Sequence, residues 1–206
     1  LWRQNLSLPN QIFKTKQIEA LLSLNYQFNE NHSMGARFNW EKTPESYWLV
    51  NQFAQTFSGN QLYEDLHSNV VGNEPEGYRK ANFYYSGKVK NWSVDFNADG
   101  LWSDAENTQV ADEEILGGIN EAVNRSVTTF DTKKNELYAA KLVVSHPLAK
   151  GNLSFGGEYS HNKRNTTYFN EEGVIANDEA MIKEGATSAF IEYAKAFHKV
   201  QVQLGI

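Results

Sequence analysis

Long segments of this chain alternate apolar and polar residues, and the clearest segment runs from Trp92 to Trp102. One side of this segment carries Trp92, Val94, Phe96, Ala98, Gly100 and Trp102. The other side carries Ser93, Asp95, Asn97, Asp99 and Leu101. Successive side chains of a β-strand lie on opposite faces. The pattern therefore predicts a strand with one apolar face and one mostly polar face.

The length of this strand separates two classes of β protein. Strands of soluble proteins usually have about 5–6 residues, whereas those of transmembrane barrels have about 9–11 and are tilted by about 45°. Ten steps of about 3.3 Å at that tilt rise about 23 Å, close to the apolar band of about 25 Å on an outer-membrane barrel. Trp92 and Trp102 stand at the two ends of the apolar side, as expected for interfacial aromatic girdles.

The composition excludes several function classes. The 206 residues are 40% hydrophobic with a mean hydropathy of −0.59, which is compatible with a barrel because half of each strand is polar. A net charge of −6 argues against nucleic acid as a partner. The absence of cysteine excludes disulfides, thiolate catalysis and Cys-based zinc sites. The chain has no run of 18 apolar residues, so the sequence predicts no transmembrane helix.

Eight segments with this alternation follow one another along the chain. They cover residues 16–29, 34–41, 80–85, 92–102, 138–144, 153–160 and 185–197 and the residues after His198. The connections between them are alternately short and long, with long polar stretches at 45–77, 103–132 and 170–184. Outer-membrane barrels have short periplasmic turns and longer extracellular loops. We therefore predict an all-β, antiparallel up-and-down meander of about eight long strands that is part of a larger transmembrane β-barrel.

One long connection contains a possible exception to the all-β prediction. Ile115, Ile119 and Val123 are spaced four apart, and Asp112 and Glu113 precede them. This spacing would also suit a short amphipathic helix over residues 111–123 inside a loop.

Three groups of residues in the C-terminal third carry a family resemblance. They are Leu137-Tyr138-Ala139-Ala140-Lys141-Leu142, Pro147-Leu148-Ala149-Lys150-Gly151 and Phe155-Gly156-Gly157-Glu158-Tyr159, with Ala189-Phe190-Ile191-Glu192-Tyr193 and Gln203-Leu204-Gly205 fitting the same pattern. With these residues the chain resembles the barrel of TonB-dependent receptor-like outer-membrane proteins of Bacteroidetes. The resemblance implies a location in the bacterial outer membrane, and a whole protein with a 22-stranded barrel, an N-terminal plug and a TonB-contacting segment.

The resemblance also implies function and partners. Such receptors import large or scarce solutes with energy from the inner membrane, so the expected partners are outer-membrane lipid, an unidentified solute, and the plug and TonB system of the full-length protein. The chain begins at Leu1 without a signal segment and ends at Ile206 within an apolar alternation. We therefore expect residues 1–206 to be a fragment of the barrel domain that lacks the plug and signal segment.

Two sets of candidate site residues follow from the pattern. The polar sides of the strands carry charged residues that we expect to face the lumen: Arg37, Glu41, Asp95, Asp99, Glu158 and Glu192. These could line a solute path or dock a plug, or they could pair with one another in lumen water. Aromatic residues of the first long connection could grip a ligand or pack the loops together: Trp48, Phe53, Phe57 and Tyr63.

Enzymatic and metal-dependent functions find little support in the sequence. The acidic residues between Asp104 and Glu114 lack the spacing of an EF-hand loop. The five histidines match no metal-ligand motif, and no nucleophile motif is present. We therefore predict no catalytic residues, no metal site and no cofactor.

Two other architectures would accommodate the same strands. One is a soluble β-sandwich that binds a ligand or glycan, in which the apolar face packs against a second sheet. The other is a self-contained eight-stranded barrel.

Overall fold

A computed structural model describes residues 1–118 and 123–206, and nearly all of them lie in one antiparallel sheet. Its nine strands are β1 (Trp2–Asn29), β2 (His32–Ser58), β3 (Gln61–Asn73), β4 (Glu76–Val89), β5 (Trp92–Gly118), β6 (Val123–Leu148), β7 (Gly151–Asn170), β8 (Asp178–Phe197) and β9 (Val200–Gly205). The order across the sheet is β1-β2-β3-β5-β6-β7-β8-β9, and β4 pairs with β2 and β5. No helix among the described residues is long and apolar enough to cross a membrane.

The strands β3 and β4 are two segments of one pass across the sheet. β3 pairs with β2 from Tyr47 to Ser58, and β4 pairs with β2 from His32 to Thr43. Both also pair with β5. The break falls at Pro75, which has no N–H to donate to the ladder. The nine strands therefore make eight antiparallel passes, which confirms the predicted meander of about eight long strands.

The long connections expected from the sequence are mostly strand, so that part of the prediction is wrong. The stretch 45–77 contains the second half of β2 and all of β3, with a tight turn at Gly59, whose φ is +64°. β5 continues past Trp102 to Gly118, so no helix begins at Ala111; residues 119–122 of the alternative lie outside the described part of the chain. Polar segments can form strands because cross-strand hydrogen bonds pair the backbone N–H and C=O groups, and these bonds do not depend on the polarity of the side chains.

Four two-residue turns lie at one end of the sheet, which we call the turn end. Their central residues are 30–31, 90–91, 149–150 and 198–199, close to the predicted turns. Ala149 and Lys150 both have positive φ, 50° and 63°, as a two-residue type I′ hairpin requires. The opposite end, which we call the loop end, holds the tip near Gly59 and the connection 171–177.

The register aligns the apolar sides of the eight passes into one continuous face. One row across the sheet contains Leu24, Ala36, Phe83, Ala98, Ala140 and Tyr159. The next row toward the turn end contains Tyr26, Met34, Tyr85, Phe96, Leu142, Gly157 and Ala189. Directly opposite residues of antiparallel strands share a face. We call this surface the apolar face and the opposite surface the polar face.

The apolar face ends at the level of Trp102. The ladder between β5 and β6 has no register shift, so side-chain alternation continues unbroken to Ile115. Beyond Trp102 the same side of the sheet carries Asp104, Glu106, Asp112 and Glu114. The other side there carries a buried cluster of Val70, Ala111 and Val127, against which Trp48 packs. The side that carries apolar residues therefore switches along one uninterrupted ladder.

Aromatic side chains of the polar face cover glycines of neighbouring strands. Phe190 lies opposite Gly156, and a Cβ placed on Gly156 would be 2.9 Å from its ring and in collision with the Leu142 carbonyl oxygen. Tyr84 lies opposite Gly35, and its hydroxyl donates to Asn25 Oδ1 over 2.9 Å. These pairs explain why apolar rings such as Phe190 occur on a polar face, because a ring over glycine restores the missing packing.

We predict that Gly156→Ala destabilises the fold by about 1–3 kcal/mol, because the added methyl group overlaps backbone and ring atoms. The control is Gly157→Ala, where the nearest atom to the new Cβ is the Ser188 oxygen at 3.2 Å. Urea unfolding of both variants in detergent micelles measures the difference. Equal unfolding midpoints would contradict this account of the glycine.

Candidate functional site

All six charged residues predicted to face the lumen lie on the polar face. Arg37, Asn82 and Asp99 form one register row, and Glu41 lies on the same side four residues along β2 from Arg37. Asp95 lies opposite Ser86, Glu158 opposite Lys141 and Glu192 opposite Ser154, and all of them are on the polar face. The strands therefore hold these side chains together on one surface.

The polar face contains a cavity of about 320 Å³ built on three neighbouring strands. It is lined by Arg37, Asn39, Tyr78, Lys80, Asn82 and Asp99. The sequence prediction named Arg37 and Asp99 as site residues and missed Tyr78, Asn39 and Asn82. The same alternation would have found them. Asn39 is two residues from Arg37 on β2, and Tyr78 and Asn82 are each two residues from Lys80 on β4, so they lie on the same face.

The electrostatics of this cavity favour an anionic group. The amide of Asn82 donates to Asp99 Oδ1 over 2.9 Å and to Asn97 Oδ1 over 2.9 Å, which holds the carboxylate in place. Within the described part of the chain, neither Arg37 nor Lys80 has a carboxylate within 4.0 Å. The Asn39 side-chain oxygen is buried without a hydrogen-bond partner. The cavity therefore presents two unpaired cations and several polar groups, which could bind an anionic group.

Three of the other four predicted lumen residues have local partners. Asp95 accepts a hydrogen bond from Ser86 Oγ over 2.7 Å, and Glu192 accepts one from Gln203 over 2.7 Å. Glu158 lies 3.7 Å from Lys141 Nζ, with both side chains about half exposed. Pairs this exposed contribute about 0–1 kcal/mol each, so they organise the surface more than they stabilise it.

The four aromatic residues predicted to lie in loops are on strands, which corrects their location. Trp48 lies on Gly72 of the neighbouring strand, Phe57 lies 4.6 Å from the Arg3 guanidinium, and Tyr63 meets Trp2 edge-on at 4.9 Å. Phe53 remains 38% exposed beside His67. Polar composition predicts a loop for this stretch, whereas these residues lie on the extended hairpin of β2 and β3. Their contact with a ligand stays a prediction.

The acidic residues near the loop end are distributed along the ladder. Asp112 accepts a hydrogen bond from Ser126 Oγ over 2.9 Å, and Glu113 pairs with Arg125. Among residues 1–118 and 123–206, no three His, Cys, Asp or Glu side chains converge as metal ligands.

The connection between β7 and β8 is organised by one buried amide. Asn170 is 2% exposed, and its side chain donates to the Thr128 carbonyl over 2.9 Å and accepts from Ile175 N over 3.0 Å. Glu172 Oε2 accepts from the backbone N–H of Thr128 over 2.7 Å. That hydrogen bond lowers the pKa of the Glu172 carboxyl below its ordinary value.

We predict that the connection 171–177 loosens under acid. Because the folded-state pKa of Glu172 is depressed, its stabilisation is present above the ordinary carboxyl pKa and is lost as pH falls through the lower folded value. Hydrogen exchange of residues 171–177 should therefore accelerate as pH falls below about 4.5, after correction for intrinsic exchange. Glu172→Gln should remove this pH dependence, and an unchanged profile in that variant would contradict the role of Glu172.

The sequence and the fold both match known outer-membrane proteins. Residues 86–206 match the family described as "Outer membrane protein beta-barrel family". Comparison with curated protein sequences gives no match.

Two solved structures show the same fold at low sequence identity. The ferric yersiniabactin uptake receptor of Yersinia pestis aligns with a TM-score of 0.50 and 11% identity over 93% of this chain and 37% of the receptor. The ferric preacinetobactin receptor of Acinetobacter baumannii aligns with a TM-score of 0.50 and 14% identity over 93% of this chain and 30% of the receptor. The chain thus spans about a third of the length of these structures.

Proposed function

We propose that this chain, which belongs to the Outer membrane protein beta-barrel family of the bacterial outer membrane, is a wall sector of a larger barrel that takes up a solute. The proposal assigns residues 1–206 to the barrel wall alone. It places lipid against the apolar face and the solute path along the polar face. It gives the chain no catalytic step.

The observation that carries the proposal is an apolar face bounded by aromatic residues at two heights. Near the turn end, the Trp92 and His146 rings lie with their centroids 4.4 Å apart, and His32 Nδ1 lies 2.8 Å from the Tyr85 hydroxyl. At the other boundary, Trp102 Nε1 donates to the Tyr138 hydroxyl over 3.0 Å. Polar atoms on aromatic rings at both boundaries suit the two interfaces of a bilayer.

The open edges of the sheet support a larger barrel over both alternatives. In the described residues, β1 pairs only with β2 and β9 only with β8, whereas a closed eight-stranded barrel would join β1 to β9. A sandwich would need a second sheet over the apolar face, and the described strands form one sheet. Phe38, Leu142 and Ile191 are accordingly 43–50% exposed on that face. Unpaired edge strands bind further strands readily.

The extent of the chain beyond the apolar face suggests the orientation: two-residue turns close the turn end, whereas at the loop end the β5–β6 ladder continues past Trp102 to Ile115. Turns of outer-membrane barrels are short on the periplasmic side and long outside. We therefore place the turn end in the periplasm and the loop end outside the cell. In this orientation the Arg37 cavity lies at the outer end of the membrane-spanning part, between the levels of Asp99 and Ser103.

The polar cavity would contact an anionic group on the solute or on a plug domain of the complete protein. Both similar receptors are named for ferric chelates, so chelates of this kind are the first solutes to test. Plug and TonB partners belong to the same proposal, because energised uptake through a wide barrel needs both.

The assignment of the two faces is tested by adjacent substitutions on β5. Ala98→Arg puts a charge at the middle of the apolar face, and should destabilise the membrane-inserted fold by about 2–4 kcal/mol. Asn97→Arg puts the same charge on the polar face one residue away, and should cost much less. Urea unfolding in lipid vesicles measures both, and equal losses would show that lipid does not contact the Ala98 side.

The transport role is tested with the complete outer-membrane protein in cells grown under iron limitation. Arg37→Gln combined with Lys80→Gln should lower uptake of the transported radiolabelled ferric chelate several-fold at unchanged surface abundance, because the unpaired cations are lost. Lys141→Gln, whose charge Glu158 already neutralises, is the control. Unchanged uptake in the double variant would remove the cavity from the path, and no uptake of any chelate would reject this class of solute.

A further inference from the structure

The apolar face contains a groove that crosses the first five passes of the sheet. Its volume is about 570 Å³, within the range of about 300–1,000 Å³ typical of small-molecule sites. Small residues line its middle, where Ala36, Ala81 and Ala98 come from three adjacent strands. Phe38 and Phe83 stand among them, and Trp102 folds over Gly100 at the loop-end side. The groove therefore has an apolar wall and one aromatic end.

A belt of basic residues lies directly beyond that aromatic end, on the same side of the sheet. The register row of Trp102 carries Arg79, Glu136, Lys163 and Lys183. The next row carries Lys42, Asp104 and Lys134. Five cations thus accompany two carboxylates in a chain whose net charge is −6. The positive charge is concentrated where the apolar face meets the aqueous phase.

Most of this positive charge is free to meet a ligand. The Lys42 ammonium lies 3.9 Å from Asp104, with both side chains about half exposed. In the ranges that the structure covers, Arg79, Lys134, Lys163 and Lys183 have no carboxylate within 4.0 Å. Guanidinium and ammonium groups are the usual protein partners of phosphate.

We propose that the groove and the basic belt together form a binding site for a phosphorylated lipid of the outer leaflet. The acyl chain lies in the groove between Phe38, Phe83 and Trp102, and the phosphate contacts Arg79 and its neighbours. Two observations select this occupant: the groove is continuous with the lipid-facing surface, and the belt has the charge opposite to phosphate. The inference rests on the membrane orientation proposed above and is independent of which solute crosses the barrel.

The test measures retention of bisphosphorylated lipid A by the purified protein in detergent micelles, using native mass spectrometry. Arg79→Gln should weaken binding about tenfold, as expected for one lost charge-assisted hydrogen bond. The control, Arg164→Gln, removes a cation at nearly the same height on the polar face and should leave binding unchanged. Lys134→Gln provides a second belt variant should Arg79→Gln fail to fold. Equal binding by belt and control variants would overturn the proposal.

The groove is tested separately from the belt. Ala98→Leu fills its floor and should reduce lipid A retention, whereas Ala189→Leu adds the same atoms on the apolar face outside the groove and should not. Dephosphorylated lipid A should bind at least about tenfold more weakly than the bisphosphorylated form. Equal binding of the two lipids would overturn the phosphate assignment, and a dimer that Ala98→Leu disrupts would assign the groove to a second copy of the chain.

The lipid site and the proposed solute class can be rejected independently of each other. Loss of lipid specificity with intact chelate uptake would reject only the lipid site. Retained lipid A with no uptake of any chelate would reject only the proposed solute class.

Discussion

The structure depends on the cross-strand hydrogen-bond ladders. In a bilayer, backbone N–H and C=O groups have no water to bind, so each must pair within the protein. Between neighbouring passes this pairing is achieved by registers that remain continuous for up to 23 consecutive pairs, as between β5 and β6. Because the side-chain period is two, one slipped residue would turn every apolar side chain of a pass toward the polar face. The apolar–polar alternation of each strand therefore fixes its register, and the register in turn keeps the apolar side chains on one face.

The same ladder lets one sheet serve three environments. Between Trp92 and Trp102 one side of β5 is apolar, as contact with lipid requires. Beyond Trp102 the same side of the sheet carries the basic belt on neighbouring strands and acidic residues on β5, while the opposite side carries the buried cluster around Val70. The backbone needs no change at the boundary, since alternation continues and only the identity of the residues differs. The membrane interface is thus encoded by residue type on a uniform scaffold.

The polar face combines stability with function. Rings that lie over glycines, such as Phe190 over Gly156, lock neighbouring strands together from the inner side. Exposed ion pairs such as Lys141 with Glu158 add little. Arg37 and Lys80 are a different case, because no carboxylate of the described chain lies within 4.0 Å of either cation. The solute contact proposed for this face therefore rests on side chains without charged partners.

The sequence by itself determined the strand class, the number of passes, the turn end and the two faces, because all of these follow from a local period of two and from turn chemistry. It also placed Arg37 and Asp99 on one surface. The tertiary structure decided what depends on pairing between distant residues. Polar segments such as 45–58 are strand because a neighbouring strand completes their hydrogen bonds, and Trp48 is partly buried against Gly72. Likewise, the basic belt exists only because the register brings Lys42, Arg79 and Lys134 side by side.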